Sequence, residues 1–207
     1  MIDSRPTELL IATFNAGKVR EVQSLLDGLP VRLRSLAEFS EVSEVEESGS
    51  TFAENAALKA RGYAAQTGHL TLADDSGLEV DALGGAPGVL SARYGGEGAT
   101  DATRTARLLA ELARINDARR RARFVCVIAI ADPSAHLIHT STGTCEGSIA
   151  FAPRGENGFG YDPVFIPDGY QESFGQLSSE IKQRISHRAR AIEAARTFLF
   201  DYFRRQA

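Results

Sequence analysis

Asp74 and Asp75 are adjacent carboxylates at the end of a short apolar run, Leu70-Thr71-Leu72-Ala73, and Ser76 and Gly77 follow at once. Two acids at the C-terminal edge of a strand suit Mg²⁺, which takes one or two carboxylates and fills its shell with water and phosphate oxygens. Ligands of open α/β sheets bind at such edges. The same four residues also suit a plain turn, and on their own they leave both readings open. A loop built on Gly84, Gly85, Pro87 and Gly88 comes next and closes at Arg93.

Three other stretches carry chemistry-bearing residues. Thr13-Phe14-Asn15-Ala16-Gly17-Lys18 separates the apolar run Glu8–Thr13 from Val19, Val22, Leu25 and Leu26 at helical spacing. That is strand, tight loop and helix, with outward N–H groups and a lysine in the first turn, an arrangement that favours phosphate. It is not a P-loop, which needs Gly at 12 and Ser or Thr at 19, where Ala12 and Val19 stand. Gly155–Phe165 places Phe159 and Tyr161 among glycines 155, 158 and 160, with Asp162 before Pro163. An aromatic flanked by glycines can stack on a flat heterocycle, and an adjacent carboxylate can accept from a ring N–H. A third stretch, the apolar periodicity over 178–203, carries Lys182 and Ser186-His187-Arg188. On one unbroken helix Lys182 and His187 lie about 140° apart, at ~100° per residue. If both serve one ligand, the helix breaks at Ser186, a competent N-cap.

The elements that position these residues follow from periodicity. Val31–Leu36 alternates as a half-exposed strand, and an acidic segment without a basic residue runs over 38–48. A helix capped by Ser50 or Thr51 puts Asn55 and Lys59 on one face and leads into the strand that is expected to stop at Asp74. A helix over Asp101–Asn116, a basic connection Asp117–Arg123, a doubly buried strand Phe124–Ala131 and an antiparallel partner His136–Cys145 complete the chain. His136 and His139 read as sheet-face residues rather than metal ligands.

The chain of 207 residues, net charge −4, is long enough for one domain with a proper core. It lacks the basic stripe of a nucleic-acid polymer binder, and its basic run has no interleaved aromatics. Cys126 and Cys145 match no zinc spacing, and the expected compartment is the reducing cytoplasm. No stretch approaches the ~20 apolar residues of a membrane span.

Taken together, Thr13–Lys18, Gly49–Lys59, Ala73–Tyr94, Phe159–Pro163 and Ser186-His187-Arg188 resemble the inosine/xanthosine triphosphate pyrophosphatase family, the RdgB-like house-cleaning nucleotide hydrolases. The resemblance implies an α/β protein, a single domain of two lobes with a long curved mixed sheet flanked by helices and a central cleft. It implies hydrolysis of ITP, dITP and XTP to monophosphate and pyrophosphate with Mg²⁺, by a homodimer. Carried over, Thr13, Phe14, Asn15, Ala16, Gly17 and Lys18 cradle the triphosphate, with Phe14 at a variable position. Asp75 activates water and holds Mg²⁺ with Glu46, Ser76 touches substrate, and Lys59 and Lys182 neutralise phosphate. Phe159, Gly160, Tyr161 and Asp162 contact the base, and His187 and Arg188 read its 6-oxo edge. The alternatives are a Maf-like pyrophosphatase acting on pyrimidine or modified nucleotides, a P-loop ATPase, and a non-catalytic nucleotide-binding module.

Overall fold

The computed structural model describes residues 8–96, 98–115 and 120–206. Its strands are β1 Glu8–Ile11, β2 Arg32–Ser35, β3 Leu70–Val80, β4 Arg121–Ala131, β5 Leu137–Ile149 and β6 Phe165–Pro167. They form one sheet in the order β2-β1-β3-β4-β5-β6. It is mixed, since β1 runs parallel to β2 and β3 while β5 and β6 are antiparallel. Helices α1 Ala16–Leu25, α2 Phe52–Thr67, α3 Asp101–Leu112, α4 Ser179–Ile185 and α5 His187–Gln206 complete an α/β chain.

The described residues fall into two compact units. The first holds the chain up to Asp75, Val127–Thr142 and the chain from Ala191 onward; the second holds Ser76–Cys126 and Gly143–Arg190. In the first, the register Ile11↔Leu72 continues with a hydrogen bond from Ala12 N–H to Leu72 O (2.8 Å). The loop that follows β1 therefore starts two positions before Asp74. Asn15 caps α1 by accepting from the Lys18 N–H, and Thr51 with Glu54 forms a capping box on α2, so each helix start is pinned by a local hydrogen bond.

Three sequence expectations change. β3 does not stop at Asp74 but continues through both acids to Val80. The turn-forming residues Asp-Asp-Ser-Gly are overruled because Leu78 and Val80 beyond them are fully buried, and the neighbouring lysines described below compensate the carboxylates. The basic run is no solvated connection either: β4 begins at Arg121. Arg121 pairs with Asp168 (2.7 Å), Arg123 with Glu79 (2.8 Å), and Arg120 donates to the carbonyls of Ile149 and Ala150. Arg119 lies outside the described residues. The strand expected over His136–Cys145 runs on to Ile149. The break at Ser186 is present: α4 ends at Ile185, α5 starts at His187, and Ser186 sits between them in extended geometry (φ −69°, ψ 159°). Among the described residues no helix is long and apolar enough to cross a membrane.

The second unit packs around Phe165, whose ring lies 4.7 Å from that of Phe124 and 5.4 Å from that of Phe174, with Leu78, Val80, Leu108 and Val164 in the same cluster. Phe165→Ala is expected to lower the unfolding free energy by about 3–5 kcal/mol, from lost transfer plus an unfilled cavity. Urea denaturation reads this as a lower midpoint at unchanged slope; a loss below about 1 kcal/mol would show that the ring is not central to the core.

Candidate active site

The first unit gathers an acid–lysine cluster. After β1 the backbone turns, with the Asn15 N–H donating to Thr13 Oγ1 (3.2 Å) and the Lys18 N–H to Asn15 Oδ1 (3.0 Å). These bonds fix the start of α1, and the N-terminal N–H groups at Ala16 and Gly17 together with the Lys18 charge make an anion-receptive end. Phe14 is 57% exposed, its ring edge-on to Tyr63 (6.2 Å). Lys18 Nζ lies 3.1 Å from Asp74 Oδ1.

On α2, Asn55 and Lys59 share a face, as their spacing requires, and both are buried. Asn55 Oδ1 accepts from the Gly49 N–H (2.7 Å), which shapes the end of the acidic segment. Lys59 Nζ reaches Asp75 Oδ1 (2.8 Å) and Glu47 Oε1 (2.7 Å). Side chains alternate along a strand, so the adjacent acids of β3 meet different lysines. Asp75 is 6% exposed; its Oδ2 is buried and accepts no hydrogen bond from the described residues. Burial pushes the Asp75 carboxyl above its ordinary value, against the pull of Lys59 and Lys18. Burial works against the Lys59 charge, but Asp75, Asp74 and Glu47 outweigh it and hold the ammonium above its usual value. Among the described residues Asp74, Asp75 and Glu47 meet Lys18 and Lys59 here, a carboxylate-rich cluster that suits an added cation. Among the described residues no three His, Cys, Asp or Glu side chains converge as a preformed metal cage. The donors therefore fit a hard cation that takes most of its shell from water and phosphate, as Mg²⁺ does.

Glu46, expected as the second metal-associated acid, is exposed. Its neighbour Glu47 is the acid that reaches Lys59. The segment 39–50 is irregular, so no periodicity in the sequence says which glutamate turns inward. Asp74 was visible in the sequence as one of the pair but carried no assigned role.

The second unit gathers the remaining expected residues. Ser76 Oγ accepts from Arg188 Nη2 (2.9 Å), and Arg188 is 1% exposed with its guanidinium 5.8 Å from the centre of the Phe159 ring. Lys182 Nζ lies 2.5 Å from Asp162 Oδ2 and 4.8 Å over the Phe159 ring. The same Asp162 oxygen accepts from the Phe159 N–H (2.8 Å). This clamp explains Gly158: at φ +76°, a Cβ there would stand 2.0 Å from Asp162 Oδ2. His187 stacks on Phe124 (4.6 Å, 12° between planes). It begins α5 because Ser186 Oγ accepts from the Ala189 N–H (3.2 Å) and restarts the helix. Tyr161, expected at the base, is part of the core; its hydroxyl donates to Ser91 O (3.0 Å), and burial pushes the phenol up. Lys182, expected among phosphate-neutralising lysines, is held by the loop that carries Phe159. Gly160 lends its N–H to Asp101 Oδ2 (2.6 Å), a contact with no signal in the sequence.

Removing Lys59 strands buried negative charge. Lys59→Met is expected to lower the unfolding free energy by about 3 kcal/mol, and by less than half as much when Asp75 is already Asn. Urea unfolding of the single and double variants measures the coupling; equal losses in both backgrounds would show that the pair is not coupled.

The family model described as the Ham1 family matches residues 9–198. The dITP/XTP pyrophosphatase of Desulforamulus reducens is 50% identical over 192 residues, covering 93% of this chain and 95% of that protein. The solved structure of a HAM1 protein from Coxiella burnetii superposes with a TM-score of 0.86 at 45% identity, over 94% of this chain and 99% of that one. A crystal structure of the nucleoside-triphosphatase / dITP/XTP pyrophosphatase from Mycobacterium abscessus gives 0.74 at 44% identity, over 91% and 98%. With the matching model spanning nearly all of its elements, this chain belongs to the Ham1 family.

Proposed function

We propose that this protein hydrolyses non-standard purine nucleoside triphosphates, ITP, dITP and XTP, to the nucleoside monophosphate and pyrophosphate. The observation that carries the reading is Asp75: a buried carboxylate with one oxygen fixed by Lys59 and the other, among the described residues, without a hydrogen-bond partner. The name dITP/XTP pyrophosphatase, borne by relatives about half identical over most of their length, supports the substrate class.

In this reading Lys18 and the first turn of α1 receive the phosphates, with Thr13 and Asn15 shaping the loop. Mg²⁺ held by Asp75 and Glu47 would neutralise charge on the phosphate oxygens and the leaving group. Glu47 is assigned here the role that the resemblance implied for Glu46, because its Oε1 lies 2.7 Å from Lys59 Nζ. Asp75 Oδ2 orients the attacking water and accepts its proton. The oxygen of that water bonds to phosphorus, the bridge between the α and β phosphates breaks, and pyrophosphate departs. Lys59 keeps the carboxylate in place and charged. For the base, Phe159 offers the stacking surface, Ser76 touches the substrate, and His187 and Arg188 donate toward the 6-oxo group. Lys182 and Asp162 fix the aromatic platform. Adenine presents an amino group where those donors expect an oxygen, and a site left with unpaired donors rejects such analogues strongly. The reading includes assembly as a homodimer, as the family resemblance implies, in the reducing cytoplasm, which suits two buried cysteine thiols; sedimentation decides the first point by showing twice the 22.3 kDa chain mass or not.

The deciding experiment supplies ITP and Mg²⁺ and follows products by ³¹P NMR. IMP and pyrophosphate in equal amounts are expected, with kcat/KM for ITP at least about a hundredfold above that for ATP. Turnover should cease on chelation and return with Mg²⁺. Appearance of IDP with orthophosphate, or no turnover by folded protein, would refute the reading.

A further inference from the structure

We propose that Asp101 is a positioning residue for base recognition: it holds from outside the loop on which the purine stacks. The inference rests on the proposed function and adds a residue to it. Asp101 is the first residue of α3, but it does not cap that helix; Thr100 does, accepting from the Thr103 N–H (3.2 Å). Asp101 Oδ2 instead accepts from the Gly160 N–H (2.6 Å), while Oδ1 lies 3.1 Å from Arg104 Nη2. One turn further along α3, the Thr105 hydroxyl donates to Gly160 O (3.5 Å). The N–H and C=O of Gly160 are thus both met from α3.

The position matters because Gly160 directly follows Phe159. It has φ +64°, and no heavy atom lies within 4 Å of where its Cβ would stand. Backbone shape, not crowding, is what glycine supplies here, and a glycine link turns freely unless something holds it. Two carboxylates hold it. Asp162 takes the N–H of Phe159 and Asp101 takes the next N–H along the chain. Asp162 is inside the loop and is itself tied to Lys182 of α4, whereas Asp101 is outside, on α3. Arg104 ties the first turn of that helix to the preceding segment through Ala92 O and Ala99 O, both at 2.9 Å. The plane of the aromatic platform is therefore referred to a rigid element, which lets a purine bind without first ordering the loop.

The Asp101 side chain is 48% exposed, so its loss leaves no buried hole and the fold should persist. Base stacking is felt equally by bound substrate and transition state, and such uniform binding appears in KM rather than in kcat. Asp101→Ala is expected to raise KM for ITP about tenfold, which is about 1.4 kcal/mol, with kcat within about twofold. Inorganic tripolyphosphate, which has no base, should inhibit the variant and the native protein equally. Asp101→Asn keeps an acceptor oxygen and should recover most of the affinity. Calorimetric titration with IMP reads the loop without turnover and should show the same tenfold weakening for Asp101→Ala. Native protein that binds IMP but leaves ITP uncleaved would strike the hydrolysis alone and leave this proposal to the IMP affinities. KM and IMP affinity unchanged in Asp101→Ala, or tripolyphosphate binding weakened in parallel, would overturn it.

Discussion

Two carboxylates buried side by side in the middle of a strand are the constraint on which the first unit depends. Either acid alone would be costly to take out of water. Asp74 and Asp75 are tolerated because alternation along β3 hands one to Lys18 and the other to Lys59. The lysines reach them because α1 starts where β1 ends and α2 ends where β3 begins. Glu47 also closes on Lys59, and among the described residues one buried oxygen of Asp75 accepts no hydrogen bond. A buried oxygen of this kind is unfavourable in a purely structural network. It becomes useful where a cation and an anionic ligand complete it.

The second unit solves a different problem with related means. Its buried cations surround an aromatic ring: Lys182 and Arg188 both approach Phe159, and each is tied down, Lys182 by Asp162 and Arg188 by Ser76. Cations near an aromatic face are attracted to it, which helps hold the ring in place. The interruption at Ser186 is what places residues from two helical segments at one loop. Ser76, the next residue after Asp75, belongs to this unit, so the acid cluster and the residues around Phe159 are linked along the chain at the peptide bond between 75 and 76.

The sequence disclosed the elements with strong periodicity and the residues whose spacing is fixed by local geometry. Asn55 and Lys59 had to share a face, and one ligand for both Lys182 and His187 would need a break that Ser186 could cap, a break that is present. What stayed hidden depends on packing across the chain. Asp-Asp-Ser-Gly has turn chemistry, and only the burial of Leu78 and Val80 beyond it shows that the strand runs through. Glu46 and Glu47 are indistinguishable in an irregular segment, because no repeat tells which faces inward. Arg121 and Arg123 read as a solvated run until their partners Asp168 and Glu79, some forty residues away in either direction, are brought beside them. Tyr161 shares a glycine-rich loop with Phe159, yet one ring enters the core and the other stands beside two cations.

The central claim is that the side chain at position 75 performs chemistry and is not merely a charge that β3 accommodates. Turnover of ITP by Asp75→Asn, measured on folded protein with saturating Mg²⁺, tests it most directly. A positioned general base contributes about 10²–10⁴-fold, so kcat should fall by at least about a hundredfold while the thermal midpoint stays level or rises. Turnover within a few-fold of the native protein would contradict the account and leave Asp75 a structural partner of Lys59.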